Sequence, residues 1–177
     1  MSTIESKQTR EFPCKKSCLK AVISAVIIFL ASSAFSAQTR GWGRNNLGQL
    51  GLGNFDTPQP SPVTIPDFGN ITAISAGEFF TLFLKADGTV LATGDNTFGQ
   101  LGDGTQTVRS SPVAVINLSN VVATSASQLH SLALLQDGTM MAWGRNAEGQ
   151  LGNGGGGSGQ FSAAPVPVSN INSSRGF

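Results

Sequence analysis

The sequence predicts an all-β protein, a partial, open β-propeller of two to three four-stranded blades preceded by an N-terminal signal helix. Three observations carry that reading. A glycine-centred phrase recurs at a period near 50 residues, short β-type runs that meet at Asp-Gly fill the space between copies, and a basic, then apolar, then small-residue segment stands in front of the first copy.

Composition divides the 177 residues near position 37. The first 36 hold both cysteines (Cys14, Cys18), five of the 11 Lys+Arg and no glycine. Residues 37–177 hold all 22 glycines, with six basic and eight acidic side chains, a formal charge of −2. Glycine there is more than twice its usual level of about 7 %. Lys7, Arg10, Lys15, Lys16 and Lys20 flank an apolar run over residues 21–31, and Ser32–Ala37 supplies small residues. That order is the secretory signal pattern, with Ala34 and Ser36 placing cleavage after Ser36. Even extended to Phe35 the run has 15 residues and three serines, short of the ~20 apolar residues that span a bilayer. The expectation is a signal peptide over 1–36 and a secreted or periplasmic chain with no membrane contact after cleavage; the alternative is a membrane anchor over 19–35. Cys14 and Cys18 lack partner ligands, so no metal site is read there.

The phrase itself is Gly43-Arg-Asn45-Asn-Leu-Gly48-Gln-Leu-Gly51-Leu-Gly53, then Gly94-Asp-Asn96-Thr-Phe-Gly99-Gln-Leu-Gly102-Asp-Gly104, then Gly144-Arg-Asn146-Ala-Glu-Gly149-Gln-Leu-Gly152-Asn-Gly154; seven of its 11 positions are identical in all three copies. The units run at about 41–93, 94–143 and, in part, 144–177. A fixed period of this size means a stacked or radial array. The glycines allow turns where a Cβ would clash. Asn45, Asn96 and Asn146 can bond their own backbone two residues on, and Leu50, Leu101 and Leu151 are expected to plug the space beneath. Thr81–Ala86 and Thr89–Thr93 flank Asp87-Gly88, and Ser131–Gln136 and Thr139–Trp143 flank Asp137-Gly138, each a two-residue hairpin signal. The small-residue runs 73–76 and 123–126 suit the crowded inner strand of a radial array. No stretch after residue 37 holds a 3.6-residue apolar period.

The phrase Trp-Gly-x-Asn-x-x-Gly-Gln-Leu-Gly-x-Gly over Trp143–Gly154, with Ile71–Gly77, Asp87-Gly88-Thr89 and His130–Leu134, resembles the regulator of chromosome condensation repeat family over about residues 41–170. Phe80 stands where His130 is, Ser127 where Gly77 is, and Thr93 where the Trp is. The resemblance implies a seven-bladed propeller and a role in gripping other proteins; some secreted bacterial relatives inhibit enzymes such as β-lactamases. This chain holds fewer than three full blades by sequence. Self-association that completes the ring, a capping protein, or a remnant of a longer propeller protein would each account for that.

Catalytic chemistry is thinly supplied. His130 is the only histidine, and its strand neighbour Ser131 points to the opposite face, so the two cannot form a base–nucleophile pair. No catalytic, metal or cofactor residues are expected. A glycine run at 154–157 lacks the strand-to-helix context of a phosphate loop. Net negative charge after residue 37 argues against a nucleic-acid partner and, with the signal segment, against guanine-nucleotide exchange. A propeller-scaffold enzyme remains the alternative to a non-catalytic protein-binding module. The candidate partner contacts are Trp42, Arg44, Asp95, Trp143 and Arg145, since Arg44, Asp95 and Arg145 share one repeat position and Trp and Arg are enriched at binding hot spots. Blade packing is the alternative role for both tryptophans.

Overall fold

A computed structural model describes Ala25–Ile28 and residues 38–170. They form eleven strands and, among the described residues, no helix. β1 (Ala25–Ile28), β2 (Arg40–Gly43) and β3 (Gln59–Thr64) make a first sheet. β4 (Ile71–Ala76), β5 (Phe80–Lys85), β6 (Val90–Gly94) and β7 (Arg109–Ala114) make a second. β8 (Val121–Ala126), β9 (His130–Leu135), β10 (Met140–Arg145) and β11 (Phe161–Pro167) make a third. Every pairing joins strands adjacent in the chain and is antiparallel. The sheets stack in chain order, so the array is an open arc. Each sequence unit begins at the strand that precedes a phrase (β2, β6 or β10), and the first two end at the next such strand, so repeat and sheet are out of phase.

The core lies between sheets. Side chains alternate along β5. Phe80, Leu82 and Leu84 face the third sheet and are at most 5 % exposed, clustering with Val90, Leu101, Ala133 and Trp143. Thr81 faces the other way, its hydroxyl donating to the Gln49 carbonyl at 2.8 Å. Phe83 shares that face and meets Phe68 edge-on, centroids 5.7 Å apart. The small-residue inner strands β4 and β8 approach closely enough for the Ala126 amide to donate to Ser75 Oγ at 2.8 Å.

The glycine phrases are the loops that join β2 to β3, β6 to β7 and β10 to β11, and the first two lean on the following sheet. Two successive tight turns, Gly99 N–H to the Asn96 carbonyl (3.0 Å) and Gly102 N–H to the Gly99 carbonyl (2.9 Å), coil the loop. Leu101 drops beneath it, fully buried like Leu50, with Leu151 at 1 %. At Gly99 (φ +73°) a Cβ would stand 2.4 Å from Ala163 Cα, so the loop lies against the next sheet's backbone.

Three expectations need correction. The asparagines do not make two-residue Asx turns. The double turn brings the amide five residues on back to the side chain, so Asn45, Asn96 and Asn146 Oδ1 accept from Leu50, Leu101 and Leu151 N–H, each at 3.0 Å. The Asp-Gly hairpins are not two-residue loops either. Gly88 N–H donates to the Lys85 carbonyl at 3.0 Å, Gly88 has φ +76° and Asp87 is not in the left-handed region. The turn is centred on Ala86-Asp87 with Gly88 in the bulge position, because a primed two-residue turn needs positive φ at both central residues; Gln136-Asp137-Gly138 repeats it. Finally, the four described residues within the expected signal helix, Ala25–Ile28, form a strand. Their pairing (Ala25↔Gly43 to Ile28↔Arg40) matches that of β5 on β6 (Phe80↔Gly94 to Phe83↔Leu91). Val26, Ile27 and Ile28 are β-branched and suit a strand, and they cover the edge of β2, which is otherwise open. The rest of the expected signal segment, with Cys14 and Cys18, lies outside the described residues.

Candidate functional site

Strand directions put all the phrase loops, and the short loops 77–79 and 127–129, at one end of the arc. The Asp-Gly hairpins and the loops 65–70 and 115–120 occupy the other. Arg44 and Asp95 directly follow β2 and β6, and Arg145 ends β10, so all three fall at the loop end.

The two arginines behave alike. Arg44 is exposed, anchored by its Nε donating to Asn46 Oδ1 at 2.7 Å, and its guanidinium lies 5.2 Å from the centroid of the Phe79 ring. Arg145 lies 5.9 Å from the centroid of Phe98 and 3.6 Å from the Glu148 carboxylate. Phe79 precedes β5 and Phe98 sits in the second phrase, so both stacks converge on the second sheet from its two neighbours. Each is a cation–π contact, worth about 0.5–1 kcal/mol when exposed. The rings are half-buried, and one stack stands at each of the two joins between sheets, both at the loop end.

The other candidates divide. Asp95 is 7 % exposed, accepting from Thr97 N–H (3.2 Å), Thr97 Oγ1 (2.6 Å) and Gln100 Nε2 (2.8 Å); its carboxylate is spent inside its own phrase. Trp143 is fully buried, its Nε1 donating to the Gln100 carbonyl at 2.8 Å, so the packing role describes it. Trp42, its counterpart on β2, is half-buried on the outer face of the first sheet. The turn residues Gly43, Gly48, Gly51, Gly94, Gly99, Gly102, Gly144, Gly149 and Gly152 all have positive φ, and Asn45, Asn96 and Asn146 are buried.

The substitution of Arg44 for the aspartate seen at 95 leaves a mark. Gln100 Nε2 has Asp95 to donate to, whereas Gln49 Nε2 is buried without a partner among the described residues. A buried donor left so costs about 1–3 kcal/mol.

Sequence reading missed Phe79 and Phe98. Phe98 stands at a variable phrase position, matched by Leu47 and Glu148, and Phe79 beside Phe80 reads only as one more strand residue. An aromatic at a variable loop position was the available signal.

His130 is half-buried, and burial lowers its pKa; Ser131 is fully buried on the opposite face, donating to the Gln100 carbonyl at 2.8 Å. Among the described residues no three His, Cys, Asp or Glu side chains gather as metal ligands, and no helix is long and apolar enough to cross a membrane. A groove of about 440 Å³ at the hairpin end, bordered by Ile65, Asp67, Phe68 and Ile71, holds one titratable group, Asp67.

Comparison with known proteins places these features in a family. The chain is 46 % identical over 69 residues to Protein RCC2 homolog of Danio rerio, covering 37 % of this chain and 14 % of that protein. It is 39 % identical over 71 residues to the Ultraviolet-B receptor UVR8 of Arabidopsis thaliana (40 % and 16 %), and 36 % identical over 103 residues to human Protein RCC2 (54 % and 20 %). It spans a fifth or less of the length of these relatives. Among solved structures, human WBSCR16 superposes with a TM-score of 0.71 at 21 % identity, covering 86 % of this chain and 39 % of that one. Prp20p of Saccharomyces cerevisiae, whose structure was described with its binding to Gsp1p and histones, gives 0.65 at 23 % (76 % and 34 %). The model of the regulator of chromosome condensation (RCC1) repeat matches residues 41–84 and 87–134, just over half of the 177 residues, and a second model of that repeat matches 71–100 and 121–150. With the phrase, the four-stranded sheets and the matched segments all in register, the chain belongs to the RCC1 repeat family.

Proposed function

We propose that this chain is an exported, non-catalytic protein-binding module that grips its partner with the loop end of the arc. The observation that carries the reading is the pair of stacks, Arg44–Phe79 and Arg145–Phe98, both at the loop end and on phrases anchored by buried asparagines. Arginine on an aromatic ring offers flat apolar area and outward-facing donors together, the combination enriched at binding hot spots. Prp20p binds proteins, which supports a protein as the class of partner. The basic, apolar and small segments of residues 1–37 support export.

Photo-crosslinking tests the loop end. A crosslinker at position 44 or 145 of the full chain, expressed in its source cells, should trap a discrete protein adduct, and one at position 87 of the opposite end should not. Equal labelling from both ends, or none from the loop end, would refute the site. Arg44→Asp serves as the matched variant. It removes the guanidinium yet gives Gln49 Nε2 the acceptor that Asp95 gives Gln100, so it should lose the partner while unfolding at a higher temperature. Export is checked separately by fusing residues 1–37 to a reporter that is active only outside the cytosol; an inactive fusion removes that part of the proposal.

A further inference from the structure

The first and second phrases differ at one buried bond. In the second, Gln100 is fixed at both atoms of its side-chain amide: Oε1 accepts from Phe98 N–H at 2.9 Å, and Nε2 donates to Asp95 Oδ2 at 2.8 Å. The other oxygen of Asp95 accepts from Thr97 N–H at 3.2 Å. In the first phrase Gln49 takes the same pose, its Oε1 accepting from Leu47 N–H at 3.0 Å. Its Nε2 is therefore aimed where a carboxylate at position 44 would stand. Gln49 is 1 % exposed, and that nitrogen is buried without a partner. Position 44 supplies a guanidinium instead, and the Asn46 amide holds the place of the Thr97 amide.

Arg44 also differs from the other arginines at the loop end. Arg109 pairs with Asp103 at 2.8 Å, and Arg145 with Glu148 at 3.6 Å. Among the described residues Arg44 makes no ion pair, either with Asp56 or with Glu78 beside Phe79. Its Nε is held by Asn46 Oδ1 at 2.7 Å and its face lies 5.2 Å from the Phe79 centroid, while neither Nη is hydrogen-bonded among the described residues. A guanidinium fixed at Nε presents its remaining donors as a planar fork that matches a carboxylate.

We propose that these groups form a carboxylate seat, filled by an aspartate or glutamate side chain of the partner. The incoming carboxylate takes the place on the first phrase that the Asp95 carboxylate takes on the second. One oxygen accepts from Gln49 Nε2, the other from Asn46 N–H, and the Arg44 guanidinium pairs with both. Arg44 is exposed, and its stem swings aside to admit the group, since Gln49 Nε2 is closed to solvent in the present pose. A buried donor without an acceptor is unfavourable, so the carboxylate restores a bond that the free chain lacks. The inference rests on the loop-end reading above for its occupant. It adds the chemistry the partner carries, and it makes the first phrase the point of entry, because Glu148 already answers Arg145.

The test has two arms. In the first, nuclear magnetic resonance follows the full chain as acetate replaces chloride at constant ionic strength. The Gln49 side-chain amide and the Asn46 backbone amide should shift saturably, while the Gln100 side-chain amide, already bonded to Asp95, stays still. Arg44→Gln should raise the acetate midpoint about tenfold, as for one charge-assisted hydrogen bond lost. Equal shifts at Gln49 and Gln100, no saturable shift at Gln49, an unchanged midpoint in Arg44→Gln, or tighter binding of inorganic phosphate than of acetate overturns the seat. The second arm uses the crosslinker at position 145. Gln49→Glu keeps the acceptor for Leu47 N–H and pairs its own carboxylate with Arg44, so it should fold as the wild type does yet fill the seat, and the partner adduct should fall about tenfold. An adduct that this folded variant leaves unchanged overturns the carboxylate occupant while the loop-end reading stands. Absence of any adduct from the wild type removes that reading, and the occupant named here with it.

Discussion

Replacing Asn96 by aspartate isolates the electrostatics of one phrase. Asn96 is fully buried; its Oδ1 accepts from Leu101 N–H, and its Nδ2 donates to the Thr105 carbonyl and to Asp103 Oδ1, each at 3.0 Å. Asparagine and aspartate are nearly the same shape, so Asn96→Asp keeps the first bond and turns the other two into oxygen facing oxygen. Two unit charges 3.0 Å apart repel by about 5 kcal/mol at an effective dielectric near 20. Arg109, 2.8 Å from the far oxygen of Asp103, offsets part of that. Protonation sets a ceiling. Raising a carboxyl from about 3.9 to 7 corresponds to roughly 4 kcal/mol, at ~1.4 kcal/mol per pH unit. The expected loss at pH 7 is therefore about 3–4 kcal/mol. The sign with pH follows. The new carboxyl has a folded pKa above its unfolded one, so the native state binds the extra proton more tightly and the deficit shrinks as pH falls, by up to ~1.4 kcal/mol per unit, to about 1 kcal/mol near pH 4. Asn146→Asp is the control, because its Nδ2 faces the uncharged Asn153 at 3.2 Å. It should cost about 1 kcal/mol with little pH dependence. Urea unfolding of both variants from pH 4 to 8 measures this. Equal losses with equal pH slopes would refute the placement of Asp103 against Asn96.

Other predictions follow from the same contacts. Gly99→Ala should cost at least 3 kcal/mol, since the added carbon meets Ala163 Cα at 2.4 Å; Gly149→Ala, at nearly the same φ (+77° against +73°), should cost only the left-handed penalty of about 1–2 kcal/mol. Chemical denaturation at low protein concentration compares the two. Leu101→Ala should lose about 2–5 kcal/mol, as for a fully buried leucine beneath a loop that cannot collapse, read from the shift in the urea midpoint. Burial raises the Asp103 carboxyl pKa, but hydrogen bonds from the Thr105 hydroxyl and amide, Arg109 and Asn96 outweigh it and leave the pKa below the ordinary 3.8. Its contribution is therefore full above that value and lost as pH falls through the lowered one, and Asp103→Asn should flatten the acid limb of a stability–pH curve below pH 4.

What could be read in advance was local. The glycine positions, the plugging leucines, the turn-forming Asp-Gly pairs and the small-residue inner strands each express a constraint held within a few residues, whether a backbone angle, a side-chain volume or a short loop, and a period near 50 residues repeats the constraint often enough to be seen. The Asx geometry escaped because the bonding amide lies five residues away, returned by a double turn that only the folded loop creates. Asp95 and Trp143 looked like surface candidates because charge and aromaticity are visible in a sequence and burial is not. Likewise Arg44 and Arg145 were legible as one repeat position, but their rings were not, since Phe79 and Phe98 come from a neighbouring sheet. Tertiary structure alone decided which faces of the arc are covered and which are open. The physical reason is that a sheet's two faces are chemically alike along the chain and become different only when the next sheet lands on one of them.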